Sequence, residues 1–179
     1  MEQYPDAKEE IPPDMLEPHG APVWTGCYVD SDHAHDVATR RLIIGFIPIV
    51  NSMPVTWVSK QQGTIEGSTY NTKFVALQMA VEYMVGLHYR LRMLGVKVKG
   101  PSYMFTDNML IIKSSTMPLA ALKKKHLSIC YHYVQEAIAA GIIWIFHIKS
   151  EDNPSNPLTN STALTNMKII KEHFFYQGD

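Results

Sequence analysis

PVTWVSKQQGTIEGSTYNTKFVALQMAVEYMVGLHYRLRMLG, residues 54–95, changes its apolar period part-way along, and that change decides the fold class. PVTWVSK (54–60) is short and rich in β-branched and aromatic residues, as a strand is. A polar, glycine-containing link follows. From there Phe74, Leu77, Met79, Ala80, Val81, Met84, Leu87, Leu91 and Leu94 recur at the three-to-four-residue spacing of one helical face. Ser68 or Thr69 is placed to cap the start and Gly95 to end the run. The spacing predicts one long helix directly after a strand.

Upstream, VWTGCYVD (23–30) and LIIGFIPIV (42–50) are further runs of Val, Ile and aromatic residues, so three sequential antiparallel strands precede the helix. Asn51-Ser52-Met53 is short enough for a hairpin, whereas the polar link before Leu42 is long. Downstream, SYMFTD (102–107) predicts a fourth strand, Leu119 to Ala140 a second helix, IIWIFHIK (142–149) a fifth strand, and 157–175 a last helix opened by Pro157. Trp57 and Trp144, both on strands, are expected in the core together with Cys27. Residues 1–22 carry five prolines among acids and read as an extended arm or linker. The folded domain is expected over 23–175, with a tail at 176–179.

Composition limits the classes of function. A chain of 179 residues, 46% hydrophobic and 18% charged, is long enough for one well-buried core. Its longest apolar run, IIWIF (142–146), is far short of the roughly 20 residues of a membrane span, so no membrane partner is expected. The two cysteines, Cys27 and Cys130, form neither a CxxC pair nor a disulfide framework, and the expectation is a reduced, intracellular chain. A net charge of −1 argues against holding nucleic acid by bulk electrostatics alone, and leaves local basic patches. The candidate patch is Lys123, Lys124, Lys125 and His126, at the start of the second helix; a solvated charged face is the competing reading.

Three antiparallel strands followed by alternating helices and strands is the order of the ribonuclease H fold, an α/β (mixed α+β) architecture with a five-stranded mixed sheet and helices on both faces. More narrowly, the sequence resembles the ribonuclease H domain of copia-type retrotransposon polyproteins from about Trp24 to Asn160. The resemblance is carried by YVDSDHAHDVATRR (28–41), PVTWVSKQQGTIEGST (54–69), FVAL (74–77), TDNMLII (106–112), KKKHLSICYHYVQEAIAAGII (123–143) and EDNPSNPLTN (151–160). Each fragment alone is weak; six in the right order are a specific signal. The resemblance implies a terminal piece of such a polyprotein, associated with a reverse transcriptase domain and acting on the RNA strand of RNA/DNA hybrids.

It also implies a site. The family places acids at the end of the first strand, on the first long helix, at the end of the fourth strand and at the start of the last helix, where together they hold two Mg²⁺ ions. Here Asp30 matches the first and Asp107 the third. The helix position falls on Lys73 and the last on Asn156, so two of the four acids are replaced and catalysis is expected to be lost or very low; the alternatives are an active or weakly active hybrid endoribonuclease, or a repurposed nucleic-acid or protein binding module. An ammonium at residue 73 stays charged at neutral pH, would repel a divalent cation and would pair with Asp30 and Asp107. Asp32, two residues past Asp30, is a further candidate ligand. Glu82 lies about half a helical rotation from Lys73 and cannot replace the missing acid; Glu66 and Asp152 are displaced along the chain. Asp30, Asp32, His33, His35 and Asp36 make a cluster that invites a metal reading, but the resembling family carries His or Trp at the first histidine position and usually Gly at the second, so both histidines read as loop residues. Tyr131, His132 and Tyr133 read as helix packing.

Overall fold

The computed structural model describes residues 4–32, 43–61, 69–116, 125–159 and 174. Its strands are β1 (His19–Val23), β2 (Thr25–Asp32), β3 (Ile43–Val50), β4 (Met53–Pro54), β5 (Val58–Gln61), β6 (Val96–Val98), β7 (Ser102–Thr106) and β8 (Ile143–His147). The helices are α1 (Thr69–Met93), α2 (Met109–Thr116) and α3 (Lys125–Ala139), with short 3-10 turns at Ser150–Asp152 and Asn156–Leu158.

The main sheet runs β4-β3-β2-β7-β8, with β5 also paired to β3. β2 and β3 are antiparallel, and β7 and β8 join parallel to β2, which makes the sheet mixed as the sequence order requires. Two details differ from the five expected strands. The third is broken into β4 and β5 around Val55–Trp57, and Trp57 is 72% exposed instead of in the core. A separate two-stranded sheet forms where β1 pairs parallel with β6, so the end of the proline-rich segment is extended and tied to the turn after α1. The hairpin at Asn51-Ser52 forms with both residues at positive φ, the conformation that matches strand twist in a tight connection.

Helix α1 packs on β2, β3 and α3. Phe74, Leu77, Ala80, Val81, Met84 and Leu87 are buried as its spacing predicts, whereas Leu94 lies beyond the last helical residue and is exposed. Gly95, at φ +69°, ends the helix, and its N–H donates to the Arg92 carbonyl at 2.9 Å. From α3 come Cys130, Tyr131, Val134 and Ala137, with the Tyr131 ring stacked on Phe74. On the sheet side Cys27, Val29, Ile44, Phe46, Met104 and Ile143 complete this core. Each large side chain so buried contributes roughly 1.5–3 kcal/mol.

The opposite face of β2, β7 and β8 carries aromatic residues in register, with Tyr28 stacked on Phe105 and Tyr103 against Trp144. Trp144 is 51% exposed on that face, which corrects its expected place in the core. Phe174 meets Tyr28 edge-on there. Helix α2 was not foreseen in the sequence. Of the expected second helix, 125–139 is observed, and of the expected last helix the described residues are 157–159, which begin in the 3-10 turn at Asn156–Leu158, and Phe174, which is helical.

Candidate functional site

Parallel pairing of Val29 with Thr106 fixes the site, because the next residue on each strand is an acid: Asp30 on β2 and Asp107 just past β7. Their carboxyl groups share one notch, lined also by Ser31, Lys73, Ala76 and Thr106, which leaves no room for a water-sized sphere. Lys73 enters from the second turn of α1, and its Nζ donates to Asp107 Oδ1 at 2.7 Å. The pair is mostly enclosed, at 20% and 12% side-chain exposure. Asn108, beside Asp107, points away: its Oδ1 accepts from the backbone N–H of Leu110 at 2.9 Å and caps the start of α2.

Asp30 is buried, and burial pushes its carboxyl above the ordinary range. The Asp107 charge adds to the rise; the Thr159 hydroxyl, the Lys73 ammonium and the Ser31 backbone oppose it without cancelling it. Thr159 Oγ1 donates to Asp30 Oδ2, and the same side chain is bonded to the Asn156 carbonyl at 3.0 Å.

The segment that delivers Thr159 is held by its own side chains. Asn153 Nδ2 donates to the Val29 carbonyl at 3.1 Å, while its Oδ1 accepts from Ser155 N and Oγ, at 3.1 and 2.7 Å. Ser59 Oγ on β5 donates to the Leu158 carbonyl at 2.8 Å. Asn156 is turned out of the notch: its amide donates to the Ser150 carbonyl at 2.7 Å and to Ser150 Oγ at 3.2 Å. The chain therefore meets Asp30 through Thr159, with Asn156 not among the residues that line the notch. Thr159 sits in the PLTN end of a fragment that carries the resemblance, yet nothing in its residue type marked it as a partner for Asp30.

The remaining candidates separate. Glu82 is exposed and faces α3, where burial first, then the charges of Glu82 and Glu136, raise the Tyr133 hydroxyl above its usual range. Asp152 is exposed in the 3-10 turn. Asp32 ends β2 opposite Ile43, but its side chain is outside the described residues. His33, His35, Asp36, Glu66, Lys123 and Lys124 lie outside the described residues, and Lys125 and His126 open α3 with side chains that do as well. Cys27 and Cys130 are both free and buried, and burial raises the Cys27 thiol well above its usual range.

Two carboxylates in one notch with an ammonium bonded to one of them do not fit a pair of divalent cations. Mg²⁺ asks for near-octahedral oxygen ligands at about 2.0–2.1 Å, whereas Lys73 takes up an Asp107 oxygen as donor and brings a like charge. Among the described residues no three His, Cys, Asp or Glu side chains come together as a metal group.

No family model matches the chain. It is 24% identical over 145 residues to the retrovirus-related Pol polyprotein from transposon TNT 1-94 of Nicotiana tabacum, covering 81% of this chain and 11% of that one. To the corresponding polyprotein from transposon RE1 of Arabidopsis thaliana it is 23% identical over 138 residues, 77% of this chain and 9% of that one. The chain thus spans about a tenth of the length of these relatives. Among solved structures, an N-terminal RNase H domain from Mycobacterium tuberculosis superposes with a TM-score of 0.57 at 12% identity, covering 82% of this chain and 97% of that one. LC11-RNase H1 in complex with an RNA/DNA hybrid gives a TM-score of 0.53 at 15% identity, with the same coverage, 82% and 97%. The fold is that of ribonuclease H, and the sequence relatives are retrotransposon Pol polyproteins.

Proposed function

We propose that this ribonuclease H-like domain, related to retrotransposon Pol polyproteins, is a copia-type module in which cutting of the RNA strand of RNA/DNA hybrids has been silenced by one of its own lysines. The observation that carries the reading is the ion pair of Lys73 with Asp107 at 2.7 Å, beside buried Asp30. Two-metal phosphodiester hydrolysis needs carboxylates that hold two divalent cations about 3.5–4 Å apart. The ammonium supplies one positive charge to the two acids in a fixed place, with no ligand sites for water or a phosphate oxygen. Asn156, bonded to Ser150, adds no acid to the notch. The hybrid as ancestral substrate is supported by the likeness to a ribonuclease H solved with that ligand. The reverse transcriptase as ancestral neighbour is supported by the Pol relatives.

The test is cleavage of a labelled RNA/DNA hybrid by the whole chain, in Mg²⁺ and in Mn²⁺. The expected outcome is no RNA product above that of Asp30→Asn. Robust cleavage by the native chain that disappears on Asp30→Asn would overturn the reading.

A further inference from the structure

The N-terminal segment touches three parts of the fold. Tyr4 is hydrogen-bonded to His132 Nδ1 of α3. Glu9 reaches α1, where its Oε1 accepts from Arg92 Nε at 3.1 Å and lies 3.0 Å from His88 Nδ1, while Oε2 accepts from Arg92 Nη2. Further on, the His19 N–H donates to the Gly95 carbonyl at 3.0 Å and the Lys99 N–H to the Val23 carbonyl at 2.7 Å. The segment lies so close over Gly95 that a Cβ there would meet the Glu17 carbonyl, His19 and Leu16, each at 3.1 Å.

The Glu9 contact reaches deeper than the surface. His88 is 1% exposed, and its Nε2 lies 2.8 Å from both Thr25 Oγ1 and Ser102 Oγ, which are themselves 2.7 Å apart. Thr25 begins β2 and Ser102 begins β7, the two strands whose far ends bring Asp30 and Asp107 together. A carboxylate only accepts, so the bond to Glu9 places a proton on His88 Nδ1; in the neutral ring Nε2 is then an acceptor for one of the two hydroxyls. Without Glu9, Nδ1 loses this acceptor and the buried ring is free to take the other tautomer, which reverses the direction of the hydroxyl bonds.

We infer that residues 4–23 form a latched strap in which Glu9 is a positioning residue: it fixes the tautomer of His88 and, through it, the Thr25–Ser102 pair that joins β2 to β7. The strap is thereby coupled to the spacing of the two strands that carry the acidic site, whatever chemistry that site performs.

The test uses the full chain, with Glu9→Gln as the isosteric variant and Glu9→Leu as the variant with no acceptor. Two readouts are followed: the imidazole nitrogen shifts of His88 by NMR, and amide hydrogen exchange at His19, Lys99 and the centre of β7. The expected result in Glu9→Leu is a His88 spectrum changed to the Nε2–H tautomer, with exchange at His19 and Lys99 at least tenfold faster and β7 protection reduced by less. Glu9→Gln keeps a carbonyl acceptor for Nδ1–H, so it should retain the native tautomer while losing strap protection with the Arg92 pair. Native His88 nitrogen shifts in Glu9→Leu would overturn the tautomer assignment. Exchange in β7 unchanged in Glu9→Leu, while His19 and Lys99 exchange faster, would overturn the coupling of the strap to the β2–β7 pair.

Discussion

Gly45 stands opposite Asp30 in the β2–β3 ladder, and the room left by its missing side chain is taken by the segment that carries Thr159. A Cβ at residue 45 would lie 2.8 Å from Leu158 Cβ and 2.9 Å from Thr159 Cγ2, closer than side chains pack. One glycine thus lets a distant part of the chain reach the buried carboxylate and give it a hydroxyl donor.

Gly45→Ala should therefore act on the site from the far strand. Overpacking of this kind costs roughly 1–3 kcal/mol, and here it should also pull Thr159 off Asp30. Urea unfolding is expected to show the loss, and limited proteolysis faster cutting within 153–159. A variant with native stability and native protease resistance would show that the segment can shift aside at no cost.

The raised carboxyl of Asp30 gives stability a definite slope with pH. Its folded pKa lies above the ordinary value of 3.8, so between the two the folded state holds more proton than the unfolded chain. The stabilisation is complete below 3.8 and is lost as pH rises through the folded value. Asp30→Asn keeps an acceptor for Thr159 and removes the titration. Above pH 3.8 its urea midpoint should vary less than the native one; an unchanged slope would assign the effect to another group.

Glu9 works in the opposite direction. Its burial would raise the carboxyl, but hydrogen bonds and charges from His88 and Arg92 outweigh this and bring it from 4.5 to about 2. The contribution is present above 4.5 and is lost as pH falls through about 2. Thermal melts of Glu9→Gln should start from a lower midpoint at neutral pH and lose less than the native chain as the pH falls below 4.5. Parallel curves for the two proteins would mean that Glu9 contributes nothing in acid.

How much of this was legible in the sequence depends on which force places each residue. The long helix, the order of strands and the meeting of Asp30 with Asp107 follow from apolar period and chain order, which local sequence carries. Trp57 and Trp144 went wrong because a strand has two faces, and period alone does not say which one is covered. The N-terminal segment reads as an extended arm or linker because its prolines and acids give no periodicity; what ties it to the fold is a few long-range polar contacts, chiefly Glu9 with His88 and Arg92, which local sequence does not carry. Thr159 was missed for the same reason, since its reach to Asp30 depends on Gly45, far earlier in the chain. Lys73 was legible only against an expected acid; of the two partners that charge complementarity gave it, Asp107 forms the ion pair, while Asp30 is bonded to Thr159.

The ion pair itself can be tested by reversing it. Lys73→Glu together with Asn156→Asp replaces an ammonium and an amide by carboxylates, and without metal the new carboxylate on α1 would face Asp30 and Asp107 with no counter-charge. The metal-free double variant should melt below the native chain through like-charge repulsion. Lys73→Met serves as the control, because it removes the attraction without adding a negative charge and should fall between the two. Magnesium should then separate them. A ligand that binds only the folded state stabilises by about 2.7 kcal/mol at a hundred times its dissociation constant, roughly 5–10 °C for a chain of this size. The double variant should gain such a shift at millimolar magnesium, and the native chain and Lys73→Met should not. Asn156 is bonded to Ser150, so residue 156 must leave that contact to join the cluster, and Lys73→Glu alone should gain a smaller shift. An equal response of the native chain would show that a cation reaches the two aspartates past Lys73 and would end the silenced reading. A double variant indifferent to magnesium would show that α1 does not present residue 73 to a shared cation, leaving Lys73 a structural partner of Asp107 alone.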